Sequence, residues 1–418
     1  MSSTTRHRPL GILVLIALLA SVPVAADTYV VDRTDDSTVG TCILGVSGDC
    51  ALRGAIIKAN NHAGTDIIRL GAATYTLSIA GTYEDSCQTG DLDVTGALTI
   101  VGQGPERTII DAAGIDRVLH VLAPGNMVAL DGLTIRGGNP AGVMPHHDVG
   151  AGIRVTSGAL MVDTCYIVDN HVLTGEGGAI SDYNASAAVG IFIVDSWIAG
   201  NSAFNCSAVY AGTELLMTQT TVSGNAALAD SAVCVYGAGS TLTNVTISQN
   251  TGSDLAGVYV NAPSVSLENC TLSVDTTAGV LFAPYTNPTL ANSVIHGGCG
   301  SWTTVTSLGG NLESPGNTCG LGSIDFVNVP DPMVTGLAWL GGPTPVHRPL
   351  TGSPLLDQPL AGIVFPAVDQ RSLPRPQDGA GPSYAISDIG AVELAGIGEI
   401  FVETFECGFT TGWSTVVR

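Results

Sequence analysis

Residues 240–250 read STLTNVTISQN, and residues 265–275 read VSLENCTLSVD. Both follow one plan: a short alternating apolar run, an Asn, a second short run, and a closing Asn or Asp. Alternation with period two points Leu242, Val245 and Ile247 to one side of two short strands. Asn suits the ends of such runs, because it tolerates the left-handed backbone region and bonds its own chain at turns. Upstream, the phrase appears as LDGLTIRGGN ending at Asn139, LMVDTCYIVDN ending at Asn170, IFIVDSWIAGN ending at Asn201 and LLMTQTTVSGN ending at Asn225. Downstream it weakens to PTLANSVIHGG, ending at Gly298. The steps between phrase ends are 31, 31, 24, 25, 25 and 23 residues.

A step of this size fits one coil of three short strands with their turns. No single coil can bury its own apolar side, so the coils must stack. A β-propeller blade needs roughly 40–45 residues, and the LxxLxLxxN phrase of a leucine-rich repeat is missing. The expected fold is therefore all-β, a right-handed parallel β-helix of the pectate-lyase-like kind. Asn244, Asn269 and Asn292 recur inside the phrase and are expected to stack as a polar ladder. The longer steps leave room for loops near 140–150 and 171–176.

The rest of the composition agrees. The chain has 53 glycines and a single lysine, Lys58. Small, β-branched and polar residues favour short strands and tight turns over helices. One segment departs from this: CALRGAIIKANNHAG, residues 50–64, places Leu52, Ile56 and Ala59 at helical spacing. A helix there is expected to cap the open end of the stack and shield its strand edge.

The amino terminus reads as an export signal. Arg6, His7 and Arg8 precede an apolar run from Leu10 to Ala20, and Val24-Ala25-Ala26 supplies the small residues of a cleavage site. The run is too short for a comfortable membrane span. Removing residues 1–26 takes away two arginines and no acid, moving the net charge from −22 to −24. Such a surface excludes nucleic acid and anionic lipid as partners, and its carboxylates suit Ca2+. No later stretch is long and apolar enough to cross a membrane. The ten cysteines of an exported chain are expected to form disulfides. Cys42–Cys50, Cys299–Cys319 and a cross-coil Cys206–Cys234 bridge are the plausible pairs.

Two resemblances extend this reading. TCILGVSGDCALRGAIIKANNHAG at 41–64 and TGDLDVTGALTIVGQG at 89–104 resemble bacterial exported proteins named for a Cys-Ser-Leu-Arg-Glu-Ala motif. The motif stands here as Cys50-Ala51-Leu52-Arg53-Gly54-Ala55, with Ala51 for Ser and Gly54 for Glu. Members typically continue into right-handed β-helix repeats. GGNLESPGNTCGL at 309–321, LAWLGGPTPVHRPLTGSPLLDQ at 337–358 and DQRSLPRPQDGAGPSYAISDIGAVE at 369–393 resemble a choice-of-anchor module. That resemblance implies a secreted or cell-surface protein. The expected organisation is a signal peptide (1–26), a cap and first coils (27–96), β-helix repeats (97–308), the anchor-like module (309–395) and a tail (396–418). Within the module, Arg371 and Arg375 are expected to pair with Asp369, Asp378 or Asp388.

Chemistry is harder to place. No Lys or Arg occurs from Val155 to His347. A lyase or epimerase acting on an acidic sugar must neutralise a carboxylate and move the neighbouring proton. Its cations must then come from Arg107, Arg117, Arg136 or Arg154, or from the end module. The catalytic candidates are Arg136, Arg154, His146 and Asp182, with His120 nearby. The metal-ligand candidates are His146, His147 and Asp148 in one loop, and His171 and Glu176 one coil later. Pro145-His146-His147-Asp148 is similar to the Asp-Pro-His-Asp phrase of alginate epimerases, with Met144 where that phrase begins with Asp. Carboxylates for glycoside hydrolysis exist at Asp163, Asp169, Asp182 and Asp195, but two of them sit inside the repeat phrase, where turn bonding accounts for them.

The expectation is a non-catalytic β-helix face for adhesion or for binding extracellular polysaccharide or a surface protein. The alternative is a polysaccharide lyase or epimerase on an acidic polysaccharide. A third option is a structural part of the cell envelope.

Overall fold

The computed structural model describes residues 26–140, 148–253, 255–274, 279–358, 365–378 and 385–394. The signal segment up to residue 25, His146, His147 and the tail 396–418 lie outside the described residues.

The chain is a right-handed parallel β-helix with one helix among the described residues, Leu52–Asn60. Each coil contributes three short strands. In one coil these are Val233–Val235 on a first face, Thr241–Thr243 on a second and Thr246–Ser248 on a third. The first two faces join into one 17-stranded sheet, and the third is a separate 10-stranded sheet. Corner-turning strands such as Leu119–Asp131 and Ile153–Asp163 link the first two faces, with register shifts at the bend.

Stacking places like on like. Ile135, Ile167, Ile198, Val222, Ile247, Leu272 and Ile295 align in register through the third face, all buried. Met217, Leu242, Leu267 and Leu290 do the same on the second. This solves the problem set by the repeat, since each coil's apolar row is covered by the coils above and below.

The polar ladder forms, but from other residues than expected. Asn170, Asn201, Asn225 and Asn250, the phrase-ending residues, are almost wholly buried. Each of the first three donates from Nδ2 to Oδ1 of the next, at 3.0, 2.9 and 2.9 Å. The same Oδ1 atoms accept the backbone N–H of the preceding Asn. The ladder begins at Gly138, whose N–H donates to Asn170 Oδ1, so the first phrase is one residue out of alignment at Asn139. Asn244, Asn269 and Asn292 instead occupy the left-handed region, with φ of 54°, 54° and 48°. They turn the corner between the second and third faces. Thr164, Asp195 and Gln219 hold the same position. Asp163 falls one residue earlier, opposite Asp131. The left-handed residue at the second turn is Asp169, Gly200, Gly224 or Gln249, immediately before the ladder Asn.

The helix Leu52–Asn60 closes the first end, with Leu52, Ala55, Ile56 and Ala59 in the core. Arg53 is fully buried and pairs with Asp36 at 2.6 Å. It also donates to the carbonyls of Gly90 and Asp91 at 2.8 and 3.0 Å. Gly54 meets the loop at Gly40 so closely that a Cβ would lie 2.1 Å from the Val39 carbonyl oxygen. Glu at this position would not fit against that loop. Disulfides join Cys42–Cys50, Cys206–Cys234 and Cys299–Cys319.

The described parts of residues 332–394, mostly irregular chain, lie over the outer side of the third face. Gln370 bridges two coils: Thr246 donates to its Oε1, and its Nε2 donates to Thr221. His347 Nε2 contacts Ser248 Oγ at 2.7 Å, and the Ala391 N–H donates to Thr271. The turn residues Asn244 and Asn292 donate to the carbonyls of Val368 and Asp388. Arg371 pairs with Asp369 at 2.9 Å. Arg375 pairs with Glu393 at 2.7 Å, a partner the sequence did not suggest, and donates to the carbonyls of Asp388 and Gly390.

Candidate functional site

Alternation along the first face sends every second side chain outward. Three early coils carry an ionisable residue between two aliphatic ones: Leu92-Asp93-Val94, Leu119-His120-Val121 and Ile153-Arg154-Val155. The aliphatic residues enter the core. Asp93, His120 and Arg154 align in register, and the row continues through Ser181, Tyr210, Cys234, Tyr259 and Phe282. One outer row is thus ionic at its first end and mostly aromatic further on.

The ionic end lines a groove of about 190 Å³, bounded by Tyr83, Asp85, Asp91, Arg117, His120 and Arg154, with Glu84, Leu122 and Thr156. The loop before the strand Leu92–Val94 folds over its outer side and makes the wall. Glu84 holds that loop by accepting the backbone N–H groups of Gln88 and Thr89. The Cys87 N–H donates to Asp93 Oδ2 at 2.8 Å. Arg53 buttresses the same loop from behind, through Gly90 and Asp91.

Within the groove Asp91 pairs with Arg117 at 2.9 Å. Burial nonetheless pushes the Asp91 carboxyl up to about 6, opposed by Arg117 and helped by Asp93 and Asp116. Burial also raises Asp93 and Asp116. His120 beside Asp85 holds that carboxyl below its ordinary range. Arg154 is lowered to about 10, mainly by desolvation and then by Arg117. Its Nε is buried without a hydrogen-bond partner. A guanidinium in this state favours an anion that can complete its hydrogen bonds.

The expected sites fare differently. Arg154 lines the groove, but Arg136 lies on the third face, paired with Asp111 at 2.8 Å. The two arginines therefore do not converge. Asp182 is consumed by the next coil, accepting the N–H of Thr213 at 2.8 Å and that of Gly212. His171 contacts Ser202, Glu176 accepts from Asn205, and Asp148 accepts from Thr174. Among the described residues, Asp148, His171 and Glu176 do not draw their ligand atoms together as a set of three. His146 and His147 lie outside the described residues. Cys206, Asp230 and Cys234 do approach one another, but the two sulfurs are bonded together and cannot serve a metal.

The residues missed were Asp85, Asp91 and Asp93. The signal for Asp93 was present in the apolar–charged–apolar triplets of successive coils, while Asp85 and Asp91 lie in the preceding loop and carry no such pattern. The longer phrase drew attention to the other two faces.

The aromatic end has a geometry of its own. Tyr183, Tyr210, Tyr236, Tyr259 and Phe282 form a chain of rings with centroids 5.0 to 5.8 Å apart. Tyr210 and Tyr236 are stacked at 26°. All five are half-buried, so ring edges remain at the surface. Their mutual contacts add stability whatever else they do.

No family model matches this chain, and no curated protein matches it. A solved structure with a similar chain path is pectin methylesterase from carrot, at 13% identity and a TM-score of 0.30, covering 71% of this chain and 80% of that one. A likeness of that degree carries no argument about chemistry.

Proposed function

We propose that this is an exported β-helix protein whose first face binds an acidic glycan without transforming it. The signal-like residues 1–26, the three disulfides and the anchor-like resemblance of residues 309–395 support an extracellular or surface location. The observation that carries the binding reading is Arg154, a guanidinium in an open groove with its Nε unsatisfied and Arg117 beside it. A uronate carboxylate has the charge and the paired oxygens such a group takes. The row then runs on through Tyr210, Tyr259 and Phe282, with Tyr236 stacked beside Tyr210, and their ring edges offer apolar contact to an extended chain. The strongly acidic remainder of the chain would repel an anionic glycan, so binding would concentrate at this groove.

Titration calorimetry with oligouronides and neutral oligosaccharides of equal length tests this. The acidic series is expected to bind, and Arg154→Gln to weaken it roughly tenfold, as loss of one charge-assisted hydrogen bond implies. Binding to the neutral series alone, or unchanged affinity in Arg154→Gln, would sink the reading.

A second reading, turnover of such a glycan, is favoured by the convergence of Asp85 and Asp91 with His120 and two guanidiniums in one groove, with Asp93 buried beside His120. Acid–base work on a sugar acid needs groups of both kinds. Ultraviolet absorbance of an unsaturated product, or new reducing ends, would replace the first reading with this one.

A further inference from the structure

We propose that Asp85, Asp93 and His120 form a three-ligand site for a divalent transition cation of the zinc type, set in the wall of the groove. It is separate from the His146, His147, Asp148, His171 and Glu176 set suggested by the sequence. One atom from each residue, all within 4.8 Å of one another, faces a common point. His120 Nδ1 stands 3.4 Å from Asp93 Oδ1 and 3.5 Å from Asp85 Oδ1. Ligand atoms held tetrahedrally at ~2.0–2.1 Å from zinc stand about 3.4 Å apart.

Two further observations bear on the point. Asp93 is wholly buried, and its Oδ1 has no hydrogen-bond partner, while its Oδ2 accepts the Cys87 N–H. A buried carboxylate oxygen left in this state calls for a cation. The other nitrogen of His120, Nε2, lies 2.7 Å from Thr156 Oγ1. With Nε2–H donating there, Nδ1 presents its lone pair to two carboxylates. That arrangement is repulsive until a cation enters, and it is the orientation an outer hydroxyl gives to a metal-binding imidazole.

The charge is suitable. Glu84, Asp85, Asp91, Asp93 and Asp116 lie about Arg117 and Arg154 here, leaving three negative charges toward a divalent ion when His120 is neutral. An imidazole with two carboxylates suits zinc and its neighbours better than calcium, which takes oxygens alone. Asp85 is the exposed ligand, its side chain 71% accessible, so the fourth position opens to the groove. A cation there would give the groove a second contact for an anion beside Arg154. The metal site itself does not depend on the glycan reading.

The test uses untagged mature protein, freed of metal by a chelator and titrated with zinc chloride in a calorimeter. One zinc per chain is expected. Asp93→Asn and His120→Gln should each weaken binding at least tenfold, and Thr156→Val about tenfold. Asp85→Asn, on an exposed loop, keeps the test sound if the buried variants fold poorly, and it too should weaken binding. Arg154→Gln should bind zinc at least as well as the wild type while binding the acidic glycan roughly tenfold more weakly. No zinc uptake by the wild type, or wild-type affinity in both Asp85→Asn and His120→Gln, overturns the proposal. The cluster would then be an ion-pair hub around a protonated His120.

Discussion

The first and third faces belong to the same coils and follow the same period, yet their outer sides differ. Through its middle coils the outer row of the third face is small and hydroxylic: Thr221, Thr246 and Thr271 in one register, Ser223, Ser248 and Ser273 in the next but one, while Tyr166 and Trp197 precede Thr221 and meet Trp339 of the covering segment. The irregular chain within 332–394 covers this row, and the hydroxyls supply its bonds. The outer row of the first face is ionic and aromatic, and stays open. A hydroxyl row offers bonds at regular height with no bulk, which lets a long irregular segment lie flat. On the first face the ionic residues border a groove instead. The side chains of an outer row thus help decide which face becomes structure and which remains available to a ligand.

The sharpest way to break the comparison is to free the third face. Arg375 and Glu393 are both fully buried. Arg375→Met should leave Glu393 and Asp388 uncompensated and cost about 3–5 kcal/mol. Thermal unfolding with limited proteolysis would show it, as early release of the C-terminal segment. Unchanged protease resistance would mean that the wrap is held by its hydroxyl contacts alone. Glycan binding on the first face should survive this substitution.

A smaller effect should reach both faces together. Asn225 donates to Asn250 and accepts from Asn201, and it is fully buried. Asn225→Ala should cost about 1–3 kcal/mol, lowering the midpoint of unfolding for coils on either side. Loss confined to one face would show that the ladder is not the shared spine.

The weakest lever is pH. Burial, with Glu393 second, lifts the Asp388 carboxyl to about 7. The folded protein therefore holds a proton there that the unfolded chain, near 3.9, releases earlier. This group's contribution is fully present below pH ~4 and declines as pH rises toward 7. Asp91, at about 6, acts in the same direction on the first face. Asp388→Asn should flatten the fall in melting temperature between pH 5 and 8 without abolishing it. An unaltered slope would place the whole effect elsewhere.

Much of this was legible because the fold repeats. The apolar rows and the closing Asn follow from phrases read along the chain; the three disulfides are the pairs that spacing made plausible, whereas Cys87, Cys165 and Cys270, expected to pair, are free and buried. The Asn244 and Asn292 positions were misread because an Asn serves equally at a left-handed corner and in a buried ladder. Only its neighbours across coils distinguish the two. Arg136 and Arg154 looked alike as the last cations before a long stretch without Lys or Arg. They part because one sits on the third face and the other on the first.

The sequence by itself determined the parallel β-helix, since a short apolar phrase at nearly constant spacing has no way to bury itself except by stacking. It also determined where positive charge is absent. Tertiary structure alone decided the site. Asp93, His120 and Arg154 are separated by 27 and 34 residues, and register between coils, set by inserted loops of unequal length, makes them neighbours. Asp85 joins them only because Arg53 and Glu84 fold its loop over the strand. Local pattern specifies which way each side chain points. Which residues then meet depends on the number of residues in every turn between them.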